Sequence, residues 1–86
     1  MQFMLMMLSI SRKYSYKSWD YNQIHAWIIS IRNGHFKRYT KMYDHLKRQK
    51  LTGKHLKQLT NDDLRGLGIY DYMDRRLLQE QIKKLR

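Results

Sequence analysis

The sequence predicts an all-α protein that folds as one compact bundle of five helices. The chain of 86 residues contains no proline and four glycines, so few residues interrupt helix formation. Apolar residues recur at the spacing of a helix in several segments, and residues that favour helix ends flank these segments. With 42% hydrophobic residues, the chain can bury a small core, and its length allows a single domain.

Residues 1–17 are predicted to form an N-terminal extension, of a kind that is commonly poorly ordered. The stretch MQFMLMMLSI, residues 1–10, is apolar, but about ten residues are too few to span a bilayer as a helix. It also lacks the basic region and the small-residue cleavage site of a signal peptide. We expect a loosely packed extension or an apolar arm covered by a partner. A polar lead-in follows, and the domain is predicted to occupy residues 18–86.

The first helix is predicted to begin at Asp20. The Asp20 carboxylate can accept a hydrogen bond from the amide of Gln23, whose side chain can reach back, as in a capping box. Trp19 and Ile24 flank this start at the positions of a hydrophobic staple. Asn33 and Gly34 are predicted to end the helix. Its apolar stripe has the spacing i, i+3, i+4, i+7 and consists of Ile24, Trp27, Ile28 and Ile31.

A second helix is predicted to run to about Leu46, because apolar residues recur at spacings of three, four and three. These residues are Phe36, Tyr39, Tyr43 and Leu46. Residues 47–50 are predicted to be a charged connection. Thr52 is the expected N-cap of a very short third helix that points Leu56 and Leu59 inward.

The fourth helix has start and stop signals only a few residues apart. Thr60 is its predicted N-cap, and carboxylates in the first turn oppose the positive end of the helix. Gly68 fits the left-handed position that follows the last turn. Ile69 can then fold back on Leu64, which is the apolar contact typical of this kind of helix end.

The fifth and longest helix is predicted to start at Asp71 or Asp74. Its inward residues are Leu77, Leu78, Ile82 and Leu85. The predicted core of the whole domain comprises Trp19, Ile24, Trp27, Ile28, Ile31, Leu56, Leu59, Leu64, Gly68, Ile69, Leu78 and Ile82.

Three segments between residues 18 and 85 follow the pattern of a known family. They are SWDYNQIHAWIISI, LTGKHLKQLTNDDLRGLGI and DRRLLQEQIKKL, and the most specific part is T-x-x-D-L-x-x-L-G-I at residues 60–69. In this order they resemble the sterile alpha motif (SAM) domain, which implies a compact five-helix bundle. The chain departs from the family's pattern in three places. It is longer between Trp27 and Gly53 by about a turn and a half of helix, Met73 and Asp74 replace a glycine-histidine pair, and Lys57 occupies a usually apolar position.

The sequence offers little for catalysis or for metal and cofactor binding. The histidines at positions 25, 35, 45 and 55 are ten residues apart, which matches no metal-ligand spacing. Glu80, the single glutamate, stands near lysines as a surface ion-pair residue would. There is no glycine-rich phosphate loop. The absence of cysteine excludes disulfides and favours a reducing, cytoplasmic compartment. We therefore predict no enzyme activity, no catalytic residue, no metal, no cofactor and no small-molecule substrate.

The formal net charge of +11 points to an acidic partner. Nucleic acid, an anionic membrane surface and an acidic protein patch are the candidates. A well-solvated basic surface with no specific partner is the alternative that composition leaves open.

The resemblance to SAM domains implies docking to another SAM domain, in which one partner offers the start of its last helix and the other offers the middle of its domain. The matching residues at the start of the last helix here are Tyr72, Arg75 and Arg76, with free backbone amides beside them. Arginine suits this position because it can hold a carboxylate with two parallel hydrogen bonds. Alternatively, Arg75 pairs with Asp71, and Arg76 lies in solvent.

The middle of the domain is basic, with nine Lys/Arg residues and one acidic residue between positions 32 and 57. Two such domains would repel, so we expect a heterotypic, acidic partner, which could be another SAM domain, rather than a homopolymer.

RNA-hairpin binding is the alternative function, an activity of a minority of the relatives. Four basic residues support it: Lys47, Arg48, Lys50 and Lys54. Two features argue against it. Asp74 places a carboxylate beside the arginines, and the stretch YDYMD lacks the small glycine-alanine turn that RNA-binding relatives favour. Adsorption to anionic lipid is a weaker alternative.

Overall fold

The computed structural model describes residues 15–86, which form four α-helices and one long 3-10 helix. The α-helices are α1 (Tyr21–Ser30), α2 (Met42–Gln49), α3 (Asn61–Gly66) and α4 (Tyr72–Lys83), and the 3-10 helix Gly53–Gln58 lies between α2 and α3. Shorter 3-10 turns lie at Tyr16–Ser18, Ile31–Asn33 and His35–Arg38. The predicted all-α bundle of five helices is confirmed, with a 3-10 helix as its third member. Most of the predicted extension, residues 1–14, lies outside the described residues.

The start of α1 matches the predicted capping box. The backbone N–H of Gln23 donates to Asp20 Oδ1 at 2.9 Å, and the backbone N–H of Asp20 donates to Gln23 Oε1 at 2.9 Å. The helix ends at Ser30, earlier than predicted. The backbone then enters the left-handed region at Arg32 (φ 48°) and Asn33 (φ 57°), which stops the α-helix before Gly34.

The predicted continuous second helix is wrong. A 3-10 turn covers His35–Arg38, Tyr39 has the non-helical angles φ −88° and ψ 77°, and α2 starts only at Met42. The spacing misled because a 3-10 helix has three residues per turn and also places Phe36 and Tyr39 on one face. Both side chains are buried, as is Leu46, and Met42 is buried in addition.

Residues 47–49 are helical, so the predicted charged connection is also wrong. Lysine, arginine and glutamine are good helix formers, and basic residues are favoured near the C-terminal end of a helix. α2 therefore continues through Gln49 and ends where Lys50 takes a left-handed conformation with φ 52°.

The ends of the next two helices lie where the sequence predicted them. Thr52 is the N-cap of the 3-10 helix, and the Asp63 N–H donates to Thr60 Oγ1 at 3.1 Å at the start of α3. After α3, Gly68 has φ 92° and the N–H of Ile69 donates to the carbonyl of Leu64 at 3.3 Å. The chain is thus turned back on α3 before α4 begins.

The core contains most of the predicted residues. Trp19, Trp27 and Leu59 are half-buried and pack against its edge. The predicted core omitted six members, of which Phe36, Tyr39 and Leu46 belong to the predicted stripe of the second helix. Tyr16, Met42 and Leu67 were not predicted to face inward at all. The buried apolar side chains are Tyr16, Ile24, Ile28, Ile31, Phe36, Tyr39, Met42, Leu46, Leu56, Leu64, Leu67, Ile69, Leu78 and Ile82.

The start of the domain is anchored on the 3-10 helix Gly53–Gln58. A Cβ atom at Gly53 would lie 1.7 Å from the carbonyl oxygen of Tyr16, so only glycine fits there. The N–H of Gly53 donates to the carbonyl of Trp19 at 2.8 Å. Tyr16 belongs to the core although it precedes residue 18, the predicted start of the domain.

Candidate interaction site

The start of α4 is fixed by Asp71. The Asp71 carboxylate accepts from the backbone N–H of Asp74 at 3.0 Å and caps the helix. Of the two predicted start residues, Asp71 is therefore the cap. Asp74 lies inside the fold, with 8% of its surface exposed. The charged side chains that follow the cap do not all face solvent.

Arg75 is buried, with 6% of its surface exposed. Its Nε donates to Asn61 Oδ1 at 2.9 Å and one guanidinium nitrogen donates to the carbonyl of Ile69 at 2.8 Å. These contacts tie α4 to the start of α3 and to the turn after it. The exposed position predicted for Arg75 is therefore wrong, because the turn at Ile69 offers the guanidinium an internal partner. The predicted alternative, a pair with Asp71, is replaced by these two contacts.

Asp74 binds the segment between α1 and α2. Its carboxylate accepts from the Tyr39 hydroxyl and contacts His35 Nε2 at 2.7 Å, and Arg38 lies 4.0 Å away. The prediction that this carboxylate would face an approaching phosphate is wrong, because it is turned inward and engaged by these three residues.

Electrostatics within this cluster favour a charged Asp74 and a neutral Tyr39. Burial would raise the pKa of Asp74, but the hydrogen bonds from Tyr39 and His35, with the nearby charges, lower its pKa below the ordinary value. Burial and the neighbouring carboxylate raise the pKa of the Tyr39 hydroxyl. Tyr39 thus remains a hydrogen-bond donor to Asp74 over the usual pH range.

Large apolar side chains are exposed around the start of α4. Tyr70 is 71% exposed, Tyr72 is 55% exposed and Met73 is 66% exposed. We call these three residues the apolar patch. The Tyr70 ring meets the Tyr39 ring edge-on at a centroid distance of 5.0 Å, and the Arg75 guanidinium lies 5.8 Å from the centre of the Tyr72 ring. The patch therefore rests on the two buried residues that attach α4 to the rest of the fold.

A groove of about 390 Å³, lined by two arginines and two carboxylates, adjoins the apolar patch. Arg32, in its left-handed conformation, and the exposed Arg76 contribute to it. Its lining residues are Arg32, His35, Met73, Asp74, Arg76, Leu77 and Glu80. Tyr72 and Arg76 are predicted from the sequence for the surface formed by the patch and the groove, whereas Tyr70, Met73 and Arg32 are not. The exposure of Tyr70 and Met73 could have been predicted, because both residues fall outside the inward-facing stripe of the last helix.

The basic stretch predicted for RNA forms a separate surface. Lys47, Arg48 and Lys50 lie at the end of α2, and Lys54 follows in the 3-10 helix. All four side chains are exposed. Within residues 15–86 none of them forms an ion pair with a carboxylate.

Three of the four histidines make separate contacts within the fold. His55 Nδ1 accepts from the backbone N–H of Thr52 at 3.1 Å, whereas His35 contacts Asp74 and the His25 ring packs on Tyr43. In the part of the chain that the structure describes, no three His, Cys, Asp or Glu side chains are close enough to hold a metal ion. Across residues 15–86, no helix is long and apolar enough to cross a membrane.

Comparison with known proteins identified one family. The family model described as the SAM domain (sterile alpha motif) matches residues 16–86. No curated protein and no solved structure matches the chain.

Proposed function

The chain belongs to the sterile alpha motif family, and from this premise we propose that it docks a protein partner through the start of α4. SAM domains are typically non-catalytic interaction modules that bind proteins or, in some members, RNA. The proposed partner is acidic and heterotypic, and an acidic SAM domain is the first candidate.

The observation that carries the proposal is the exposure of the apolar patch. Tyr70, Tyr72 and Met73 lie within four consecutive residues and leave more than half of their surface in solvent. Contiguous apolar surface with a polar rim marks interaction sites, and tyrosine, methionine and arginine are enriched in the centres of interfaces. Arg76 stands beside the patch and supplies the polar rim.

Charge argues for the acidic character of the partner. Arg32 and Arg76 line the groove beside the patch together with Asp74 and Glu80. The Asp74 carboxylate is engaged by His35 and Tyr39, and Glu80 lies 3.5 Å from the Lys83 ammonium, so the two arginines remain to meet a partner. The chain as a whole carries a net charge of +11. A carboxylate from a partner would meet complementary charge there, whereas a second copy of this chain would meet like charge. Arg75 supports this surface from beneath and does not take part in recognition directly.

RNA binding through the basic stretch is the second candidate. The observation that favours it is that Lys47, Arg48, Lys50 and Lys54 are exposed and free of carboxylate partners within residues 15–86. The inward position of Asp74 also removes the carboxylate that argued against a phosphate ligand. The basic stretch lacks exposed large apolar side chains of the kind found in the apolar patch, so we place RNA second.

The test compares two charge reversals on the same helix. Arg76→Glu acts beside the apolar patch, and Lys84→Glu makes the same change at the far end of α4. Arg76→Glu should weaken capture of an acidic SAM domain at least about tenfold, which corresponds to about 1.4 kcal/mol, and Lys84→Glu should have a much smaller effect. Titration calorimetry measures the binding, and circular dichroism checks the fold of both variants. Equal weakening by both variants would contradict a docking surface at the start of α4.

A third variant separates protein docking from RNA binding. Met73→Ser removes apolar surface without changing charge, so it should weaken protein capture and leave binding to an RNA hairpin unchanged. Reversal of Lys47 and Arg48 to Glu should instead reduce RNA binding and its salt dependence, by roughly one unit of logarithmic slope for each phosphate that the variant no longer neutralises. Tight, hairpin-selective binding at physiological salt that only the second variant reduces would make RNA the ligand.

A further inference from the structure

A second groove lies along the C-terminal half of α4, away from the apolar patch. It has a volume of about 210 Å³ and separates α4 from the 3-10 helix Gly53–Gln58. Its lining residues are Leu56, Lys57, Leu59, Gln79, Ile82 and Lys83. The groove belongs to neither of the two surfaces considered for function above.

The groove has apolar side chains at its base, and the ammonium groups of the lysines at its rim are engaged elsewhere. Leu56 and Ile82 form part of the core with 2% and 4% of their surface exposed, and Leu59 is half-buried. The Lys57 ammonium donates to the carbonyl of Leu85 at 2.7 Å. The Lys83 ammonium lies 3.5 Å from a Glu80 carboxylate oxygen. Because both ammonium groups are engaged, the hydrocarbon stems of the two lysines remain to line the groove.

The described part of the chain begins beside this groove. The Lys57 ammonium lies 5.4 Å from the centre of the Tyr16 ring. Tyr16 is also fixed against Gly53, the first residue of the 3-10 helix that forms one wall. Residues 11–14 separate Ser15, the residue before this anchor, from the apolar stretch MQFMLMMLSI at residues 1–10. Four extended residues span roughly 13 Å, so the stretch can reach a wall that Tyr16 already contacts.

We infer that residues 1–10 occupy the groove, where they cover Leu59 and the hydrocarbon stems of Lys57 and Lys83, above the buried Leu56 and Ile82. The stretch contains no charged side chain, which fits a groove whose two lysine ammonium groups already have polar partners. Four of its ten residues are methionines. Methionine is unbranched and flexible, so it fills irregular apolar gaps without a strict shape requirement. The inference concerns the opposite half of α4 from the proposed docking surface and stands or falls independently of it.

Methyl NMR of the full chain tests the inference. The chain has six methionines, of which Met42 is buried, Met73 is exposed and the other four lie in residues 1–10. Met42 therefore reports on the fold, and Met73 reports the signal of an uncovered methionine. We expect nuclear Overhauser effects from the methyl groups of Met4, Met6 or Met7 to those of Leu56, Leu59 or Ile82. These effects should not change on dilution.

A pair of variants makes the test specific. Leu59→Glu places a charge in the groove, and Leu77→Glu places the same charge at another half-buried leucine outside it. Leu59→Glu should abolish the effects and shift the methyl signals of residues 1–10 towards that of Met73, whereas Leu77→Glu should preserve them. If Leu59→Glu also disturbs the Met42 signal, the milder Gln79→Glu replaces it as the groove variant.

Three results would overturn the inference. The first is that, in the wild-type chain, the methionine methyl groups of residues 1–10 give the same signal as the exposed Met73. The second is that the nuclear Overhauser effects between residues 1–10 and the groove arise only between two differently labelled chains. The groove would then be occupied by residues 1–10 of a second copy. The third is contact of residues 1–10 with Tyr70, Tyr72 or Met73, which would also change the interpretation of the apolar patch. Loss of partner capture by Arg76→Glu does not bear on any of these results.

Discussion

The end of α2 and the start of α4 are both rich in charged residues, but they place these residues in opposite ways. At the end of α2, Lys47 and Arg48 are exposed. At the start of α4, Asp74 and Arg75 are buried, and the apolar side chain of Met73 faces solvent instead. A cluster of charged residues in a sequence thus predicts a charged surface only where no neighbouring segment offers those residues a partner.

The buried charges at the start of α4 are stable because each has hydrogen-bond partners. Burial of an ionised group is tolerated when its polar atoms are paired. Within residues 15–86, no buried side-chain nitrogen or oxygen lacks a partner. Charged side chains can therefore attach one helix to the rest of a small domain. Because these side chains point inward, apolar side chains of the same helix turn are left facing solvent.

The largest expected effect is a difference in the free energy of unfolding between a variant at the start of α4 and one at the end of α2. Arg75→Ala should lower the free energy of unfolding by about 2–4 kcal/mol, because it leaves the Ile69 carbonyl and Asn61 without their donor and removes the packing of the buried arginine stem. Arg48→Ala, at the end of α2, should change it by about 0.5 kcal/mol or less. Urea denaturation of both variants checks the difference. Equal stabilities would mean that Arg75 is not a structural residue.

The next effect depends on pH and concerns Asp74. Asp74→Asn should lower the free energy of unfolding by about 1–2 kcal/mol at pH 7, because Tyr39 and His35 lose a charged acceptor. The folded-state pKa of Asp74 lies below its unfolded value of about 3.9. The carboxylate therefore contributes stability above about pH 4, and this contribution is lost as the pH falls through the folded-state pKa.

The measurement for Asp74 is urea denaturation of the wild type and the variant at pH 7 and pH 3. The difference between them should shrink at the lower pH. Asp62→Asn is the matched control, since the Asp62 side chain is 85% exposed and pairs with Arg65 only at the surface. A difference for Asp74→Asn that stays constant with pH would argue against an ionised, hydrogen-bonded carboxylate.

The smallest expected effect concerns the backbone at the end of α2. Lys50 has φ 52°, a region that glycine adopts without steric strain. Lys50→Gly should therefore raise the free energy of unfolding by about 0.5–1 kcal/mol. Lys47→Gly, inside the helix, should lower it by about 1 kcal/mol. Opposite shifts in melting temperature would show that residue 50 is constrained through its backbone and not through its charge, and shifts of the same sign would refute this.

Local signals predicted the starts of α1 and α3 and the end of α3, because the residues concerned lie close together in the sequence. The Asp20 cap needs only Gln23, three residues later, and the Thr60 cap needs only Asp63. Gly68 is constrained by its own backbone angle. Such short-range chemistry is visible in one sequence without knowledge of the fold.

The contacts that shape the candidate site could not be predicted in this way. Asp74 meets Tyr39 across 35 positions and His35 across 39 positions, and Arg75 meets Asn61 across 14 positions. Helical periodicity identifies the inward face of each helix, but it does not determine which residues of two helices meet. The burial of Arg75, and with it the exposure of the apolar patch, follows from that pairing.

The close approach of Gly53 to Tyr16 limits how this sequence can evolve. A side chain at position 53 would collide with the backbone oxygen of Tyr16 and not with its side chain. No substitution at position 16 can therefore compensate for one at position 53, since every amino acid carries that oxygen. The lead-in around Tyr16 and the 3-10 helix that starts at Gly53 can diverge only together, by a shift of the backbone that changes both segments at once.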